Sequence, residues 1–323
     1  MMAQKRINKG TITWFILSVI GLIVFNFLFS TRILRSYHEI SINTILINIM
    51  LAASLNLILG IAGQFSLGHA GFMAIGAYSV AIVLQKMPNY LGFVLGILLG
   101  LFFTTIVSLI VAIPTLRLKG DYLAIATLGV SEIIRIAIVN LSGITNGALG
   151  IQNIERIPRF NMVYIFTVIT LLILSMLKNS RFGRSWSGIQ EDEIASAAMG
   201  TNITKKKVSA FLIGALIASV AGAIYASYFT FIQPDHFDFN KSVDILVIAV
   251  LGGLGSFTGT VLSASVIGII NLVFQSFAQE RVIIYSILLI VMMIFKPGGL
   301  LGKYELSFKK LWNRGAKHES TQR

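Results

Sequence analysis

Few side chains in this chain are placed to do chemistry. Ser66 and His69 lie three apart, the types that a nucleophile and its base need. No settled nucleophile motif surrounds them, and no separate base is marked on another span, so covalent catalysis has no complete set of groups. Glu132 and Arg135, also three apart, share one helix face and can pair. The chain has no cysteine, which excludes disulfides, thiol catalysis and thiolate metal sites. It has no G-x-x-x-x-G-K-[ST] phosphate loop, so it does not itself hydrolyse ATP. What remains is passage of a solute. The run GIAGQFSLGHAGFMAIGAY from Gly60 sets Gln64, Ser66, His69 and Tyr78 among glycines, inside a window, Ile40–Gln85, free of Lys, Arg, Asp and Glu. Non-helical backbone at membrane depth is tolerated only where protein or a water-filled cavity surrounds it. Polar residues there mark a route for something to cross.

The elements that must position these residues are membrane helices. Hydrophobic residues make up 55% of the 323 and charged residues 12%, with mean hydropathy +0.82; a soluble domain carries about a quarter charged residues. Apolar windows of about 20 residues place spans at Ile12–Phe29, Ile40–Leu59, Leu67–Leu84, Leu91–Ile113, Tyr122–Leu141, Val163–Leu177 and Val208–Ile232. Ile245–Leu251 follows as a short half-span, then Phe257–Phe277 and Val282–Phe295. The fold class is all-α: a polytopic membrane protein of about ten helices, some short or broken. With the N-terminus cytoplasmic, most of the 26 basic residues fall inside, as the positive-inside rule requires. Merging the eighth and ninth elements would turn the basic tail outward. Both termini are therefore expected in the cytoplasm, with residues 1–303 forming one membrane domain and 304–323 a basic tail. The net charge of +13 is then topological, and no nucleic acid is expected as a partner. Met1–Phe29 has a basic start and a spanning apolar run without a small-residue cleavage site, so no cleavable signal peptide is expected.

Between the sixth and seventh spans lies a long inner loop, Lys178–Lys207, whose middle reads SGIQEDEIASAAMGTN from Ser187. Ser187 and Gln190 fit a capping box, and Glu191, Asp192 and Glu193 put negative charge in the first turn. Ala195, Ala197 and Ala198 favour helix, and Gly200 suits a left-handed end. The pattern predicts a short helix starting at Ser187, with Ile189, Ile194 and Met199 as apolar contacts. It either rests on the membrane surface or docks a soluble partner. Docking suits its exposed acids and small residues, and makes Gln190, Glu191, Asp192, Glu193, Ala197, Ala198, Met199 and Gly200 its candidate contacts.

Within the spans, Gln64, Ser66, His69, Tyr78, Thr127, Glu132 and Asn146 are candidate lining residues of a translocation path. Glu132 is the only carboxylate well inside a predicted span. With Arg135 it is either an ion pair that fixes packing or part of the path's wall, because charge at bilayer depth is costly unless paired or facing a cavity. His69 is a packing hydrogen bonder or, since imidazole titrates near neutrality, a proton relay. Gly60, Gly63, Gly68, Gly71 and Gly76 let helices approach closely. GIAGQFSLG from Gly60 and GGLGSFTG from Gly252 share a short pattern, by chance or by duplication of a broken helix. TNGALGIQN from Thr145 is a candidate gate. The outer loop Gln233–Asp244, with Asp235, Asp238 and Asp244 against Lys241, is expected to be solvated, or to meet a basic patch on a binding protein. No metal site is expected.

Taken together, five motifs make a specific match covering Ser54 to Gly302. These are GIAGQFSLGHAGFMAIGAY, LRLKGDYLAIATLGVSEIIR from Leu116, GIQEDEIASAAMGTNITKKK from Gly188, VLGGLGSFTG from Val250 and FKPGGLLG from Phe295. On them the chain resembles the permease subunits of branched-chain amino acid ABC importers, of the M type. The resemblance implies a bacterial inner-membrane complex in lipid, built from this subunit, a second permease of the H type, two cytoplasmic ATPases and an extracytoplasmic amino-acid-binding protein. It implies that ATP and Mg are held by the ATPases, with no cofactor in this chain, and that leucine, isoleucine or valine moves inward by alternating access. It also implies that the loop helix is the coupling helix. The general loop pattern, Glu-Ala-Ala, three residues, then Gly, is shifted here: Glu193 lies one residue too far from Gly200, and Ile194 takes the acid's place. A secondary carrier driven by an ion gradient shares the broken helices but has no use for a docking loop.

Overall fold

The computed structural model describes residues 36–115, 118 and 120–274, with 21–22 and isolated positions between 287 and 302. The predicted spans Ile12–Phe29 and Val282–Phe295 lie largely outside these residues, and the tail from 304 wholly so. The described residues are helical, with no strand among them beyond a single bridge between Ile151 and Ile232.

The helices run α1 Ser36–Asn56, α2 His69–Lys86, α3 Tyr90–Thr115, α4 Asp121–Asn140, α5 Phe160–Lys178, α6 Arg181–Glu191, α7 Glu193–Ala198, α8 Ile203–Phe229, α9 Phe239–Gly252 and α10 Phe257–Val273. A π-helical turn, Leu57–Ile61, prolongs α1, and 3-10 turns cover Gly147–Leu149 and Pro234–Phe237. Among the described residues, five stretches are long and apolar enough to cross a membrane: Tyr37–Ile61, α3, α4, α5 and α8.

Exposure separates the outer helices from the centre. On α3, Leu91, Val94, Leu95, Leu98, Phe102, Ile106 and Ile110 are exposed at helical spacing, as a lipid-facing stripe requires. By contrast, α2 is buried along most of its length, against α8 and α3. A Cβ on Gly222 would strike the Met73 carbonyl, and one on Gly76 the Ser219 carbonyl, so the two backbones touch. Lipid supplies no hydrophobic drive between helices, and such close packing takes its place. Phe72 and Phe211 add an edge-to-face pair at 5.5 Å between centroids.

Two expectations change. The predicted half-span Ile245–Leu251 is part of a longer helix: α9 starts at Phe239, so residues 239–244 are helix and not loop. Asp238 caps α9, accepting from the Lys241 amide at 3.0 Å. Lys241 Nζ donates to Asn48 Oδ1 at 3.0 Å, and Ser242 Oγ accepts from the Ala70 amide at 3.2 Å. A window that stops at charge ends the span there, yet the bundle supplies these polar groups with partners. Asp244 therefore joins Glu132 as a carboxylate on a helix of the bundle.

The loop helix predicted from Ser187 is two helices. Ser180 caps α6, accepting from the Phe182 and Gly183 amides, so Ser187 and Gln190 fall inside α6 and form no capping box. α6 starts early because Trp186 and Ile189 are buried on the bundle, with Trp186 Nε1 donating to Lys206 O at 3.0 Å. It ends at Asp192, whose extended backbone (φ −153°, ψ 110°) stops one helix and caps the next. The Asp192 carboxylate accepts from the Ile194 and Ala195 amides at 2.8 and 3.0 Å, and an ionised acceptor makes a strong cap. At the other end of α7, Gly200 has φ +79°, the left-handed end that the sequence pattern anticipates.

Candidate functional site

The glycine run from Gly60 breaks the helix as expected: residues 62–68 are non-helical between the π turn and α2. A second break, 253–256, separates α9 from α10, and the two breaks meet. Asn56, fully buried at the end of α1, donates from Nδ2 to Gly253 O at 3.2 Å, Ser256 O at 3.1 Å and Thr260 Oγ1 at 2.8 Å. Its Oδ1 accepts from the Gly255 amide at 2.8 Å. Gly60 has no room for a side chain, because a Cβ there would strike Gly255. The third glycine motif joins them: Leu300 N donates to Leu251 O at 2.8 Å, and a Cβ on Gly253 would lie 2.8 Å from Gly302 O. Lys178 Nζ, at the end of α5, donates to Gly255 O at 2.6 Å.

The first break is seated on the root of the loop. Gly63, at φ +67°, faces Gln190, where an added Cβ would come within 2.9 Å of Gln190 Cγ. Gln64 Nε2 donates to Lys207 O at 3.1 Å. Lys207 Nζ in turn holds both carboxylate oxygens of Glu193 at 3.0 Å. Side chains thus connect α7 to the broken helix. The rest of the loop is open: Glu191, Asp192, Ala197, Ala198, Met199 and Gly200 are exposed, with Ile194 at 82% and Met199 at 85% exposure offering apolar tips.

Across the break, Thr127 Oγ1 accepts from the Leu67 amide at 3.0 Å and donates to Ala124 O at 3.0 Å. Ser66 Oγ accepts from the Gly68 amide at 3.4 Å. Ser54 Oγ lies 2.8 Å from Leu51 O and 2.7 Å from His69 Nε2, within hydrogen-bonding reach of both. The Ser54–His69 contact has the geometry of a packing bond, while Nδ1 is buried without a partner.

The structure thus gathers Gln64, Ser66, His69 and Thr127 at one break. Tyr78 and Glu132 lie further along, towards the Pro234–Phe237 turn. Tyr78 is buried, its ring 6.1 Å from Phe237 and its hydroxyl without a partner. Glu132 Oε2 pairs with Arg135 Nε at 2.8 Å, and Arg135 Nη1 reaches Asp235 at 3.3 Å. Burial pushes the His236 imidazole down from its ordinary value, against the pull of Asp235. Asn146 stands apart from the others, exposed in a left-handed turn at φ +58°. The sequence reading missed Asn56, the Lys207 contact and the placement of Asp244; Asn56 lies in a charge-free window, and nothing in its spacing marks it. Among the described residues no group of His, Cys, Asp and Glu is arranged to hold a metal ion.

Comparison with known proteins covers these same elements. A family model described as branched-chain amino acid transport system, permease component, matches residues 38–296. The high-affinity branched-chain amino acid transport system permease protein LivM of Salmonella typhimurium is 32% identical over 290 residues, which is 79% of this chain and 68% of that protein. LivM of Escherichia coli is 31% identical over 308 residues, 85% of this chain and 72% of its own length. The Escherichia coli permease protein LivH is 28% identical over 149 residues, 45% of this chain and 48% of LivH. No solved structure matches the chain.

Proposed function

This chain belongs to the branched-chain amino acid permease family, and on that premise we propose that it is the M-type permease subunit of an ABC importer. Its cargo is leucine, isoleucine or valine, moved inward across the cell membrane. The chain is a transporter component and not an enzyme; ATP and Mg belong to two separate ATPase subunits in the cytoplasm. A second, H-type permease and an extracytoplasmic amino-acid-binding protein complete the complex. Residues 1–303 form the membrane domain, with about ten passes and both termini in the cytoplasm.

The observation that carries the reading is the seating of the loop on the broken helix. Gln190 packs on Gly63, and Glu193 reaches Gln64 through Lys207. In this reading α6 and α7 together are the coupling element, and Ile194, Met199 and the exposed face of α7 enter a groove on the ATPase. When ATP closes the ATPase dimer, α7 moves as a rigid body. Its displacement reaches residues 62–68 through Lys207 and Gln190, and so the cytoplasmic end of α2. Thr127, Ser66 and His69 hold the break in shape around the path. An ion-gradient carrier is not favoured, since a loop built in this way has no role in it.

The test is leucine uptake in cells with and without this chain, under a protonophore and then under ATP depletion. Uptake that needs the chain, survives the protonophore and fails without ATP is expected. Chain-dependent uptake that collapses with the proton gradient while ATP is held up would overturn the reading.

A further inference from the structure

The loop of α6 and α7 holds both helix breaks, one from each end. Its rear end reaches the first break, where Gln190 packs on Gly63 and Lys207 joins Glu193 to Gln64. Its front end reaches the second. Lys178, the last residue of α5, is half-buried, and its Nζ donates to Gly255 O at 2.6 Å and stands 5.8 Å from the centre of the Phe257 ring. Gly255, at φ +86°, lies outside any helical ladder, and its carbonyl takes a charged donor from another helix.

The corner between α5 and α6 is tightly built. Ser180 Oγ donates to Leu177 O at 2.6 Å and accepts from the Phe182 and Gly183 amides at 3.1 and 3.4 Å. A Cβ on Gly183 would strike the carbonyls of Leu177 and Lys178. α6 therefore cannot swing without carrying the end of α5, and Lys178, with it. On the far side, Asn56 joins the two breaks. A loop that gripped the first break alone would draw it away from the second, against Asn56.

We propose that Lys178 is a positioning residue for transport: its ammonium ties the second break to the loop, so that a displacement of the loop moves both breaks together. The proposal rests on the permease reading and adds a second arm to the one through Lys207. The competing role for Lys178 is local, since a cation in the last turn favours the end of α5. That role alone would make the residue a matter of stability.

The test is the leucine moved per ATP hydrolysed by the complete transporter, with its binding protein, in proteoliposomes. Lys178→Met keeps an apolar stem and loses the ammonium. It should assemble with the ATPases and hydrolyse ATP, while leucine moved per ATP falls about fivefold or more, the lower range of a coupling between sites. Lys178→Arg keeps a cationic donor and should hold most of the ratio. An unchanged ratio in Lys178→Met overturns the proposal, as does an arginine variant as defective as the methionine one. A parallel fall of abundance, hydrolysis and uptake also overturns it, because a purely structural role predicts that result. If Lys178→Met does not assemble, Lys178→Gln is read in the same way, and failure of both to assemble again overturns the proposal. A wild-type complex that moves no leucine on ATP overturns the permease reading instead.

Discussion

Asn56→Ala should loosen the joint between the two helix breaks, and its cost can be worked from the contacts. The variant loses three donations, to Gly253 O, Ser256 O and Thr260 Oγ1, and the acceptor of the Gly255 amide. The three acceptors keep other bonds: Ser256 N still reaches Gly253 O, and the Thr260 amide and hydroxyl still reach Ser256 O. Hydrogen bonds inside membrane bundles average about 0.6 kcal/mol, and Nδ2 has two protons to share among the three acceptors, so their loss comes to roughly 1.2 kcal/mol. The half-buried Gly255 amide loses its partner outright, which costs about 1 to 2 kcal/mol more. The expected destabilisation is therefore about 3 kcal/mol, or roughly a hundredfold in the folding equilibrium. The assay is unfolding of the purified chain in mixed micelles by added SDS, followed by Trp186 fluorescence in a Trp14→Phe/Trp312→Phe background. Trp186 reports on this joint because it packs in one cluster with Leu57, Ala62 and Phe257. Asn56→Asp should do no better, since it keeps the acceptor for Gly255 but turns a carboxylate towards three oxygens. An Asn56→Ala midpoint equivalent to less than about 1 kcal/mol would refute the view that Asn56 joins the breaks.

Gly200→Pro should leave insertion and abundance unchanged but abolish leucine uptake. Gly200 stands at φ +79° and its amide donates to Ala197 O at 2.9 Å, and proline offers neither that φ nor an N–H. Full uptake in this variant would remove α7 from the coupling role. His69→Gln should keep uptake close to wild type, because the glutamine amide can still donate to Ser54. His69→Leu should lower SDS stability by about 1 to 2 kcal/mol. A proton relay predicts the opposite for glutamine, with uptake lost while the fold is kept.

Class, periodicity and many helix ends were legible in the sequence. Hydropathy alone set the membrane class, since a chain with so few charges has too little polar surface to cover its apolar residues in water. The glycine run from Gly60 marked a break because glycine clusters with polar residues do not sustain a lipid-facing helix, and Gly200 marked a helix end through its tolerance of positive φ. Local patterns misled where a tertiary contact outweighed them. Ser187 looked like a cap, but the burial of Trp186 and Ile189 carries α6 through it, and Asp192 accepts two amides to start α7. Gln233–Asp244 looked like loop, but α9 takes over at Phe239, and Asn48 and Ala70, 193 and 172 positions earlier in the chain, give Lys241 and Ser242 their partners inside the bundle. The sequence by itself determined that this chain spans a membrane, where its helices yield, and which family it resembles, because those follow from transfer free energy and backbone preference. Only the tertiary structure decided that the two breaks share Asn56, that the loop reaches the first break through Lys207, and that Asp244 stands on α9. Those depend on which distant backbone groups lack a partner, and a polar side chain is satisfied by whatever the fold brings within about 3 Å.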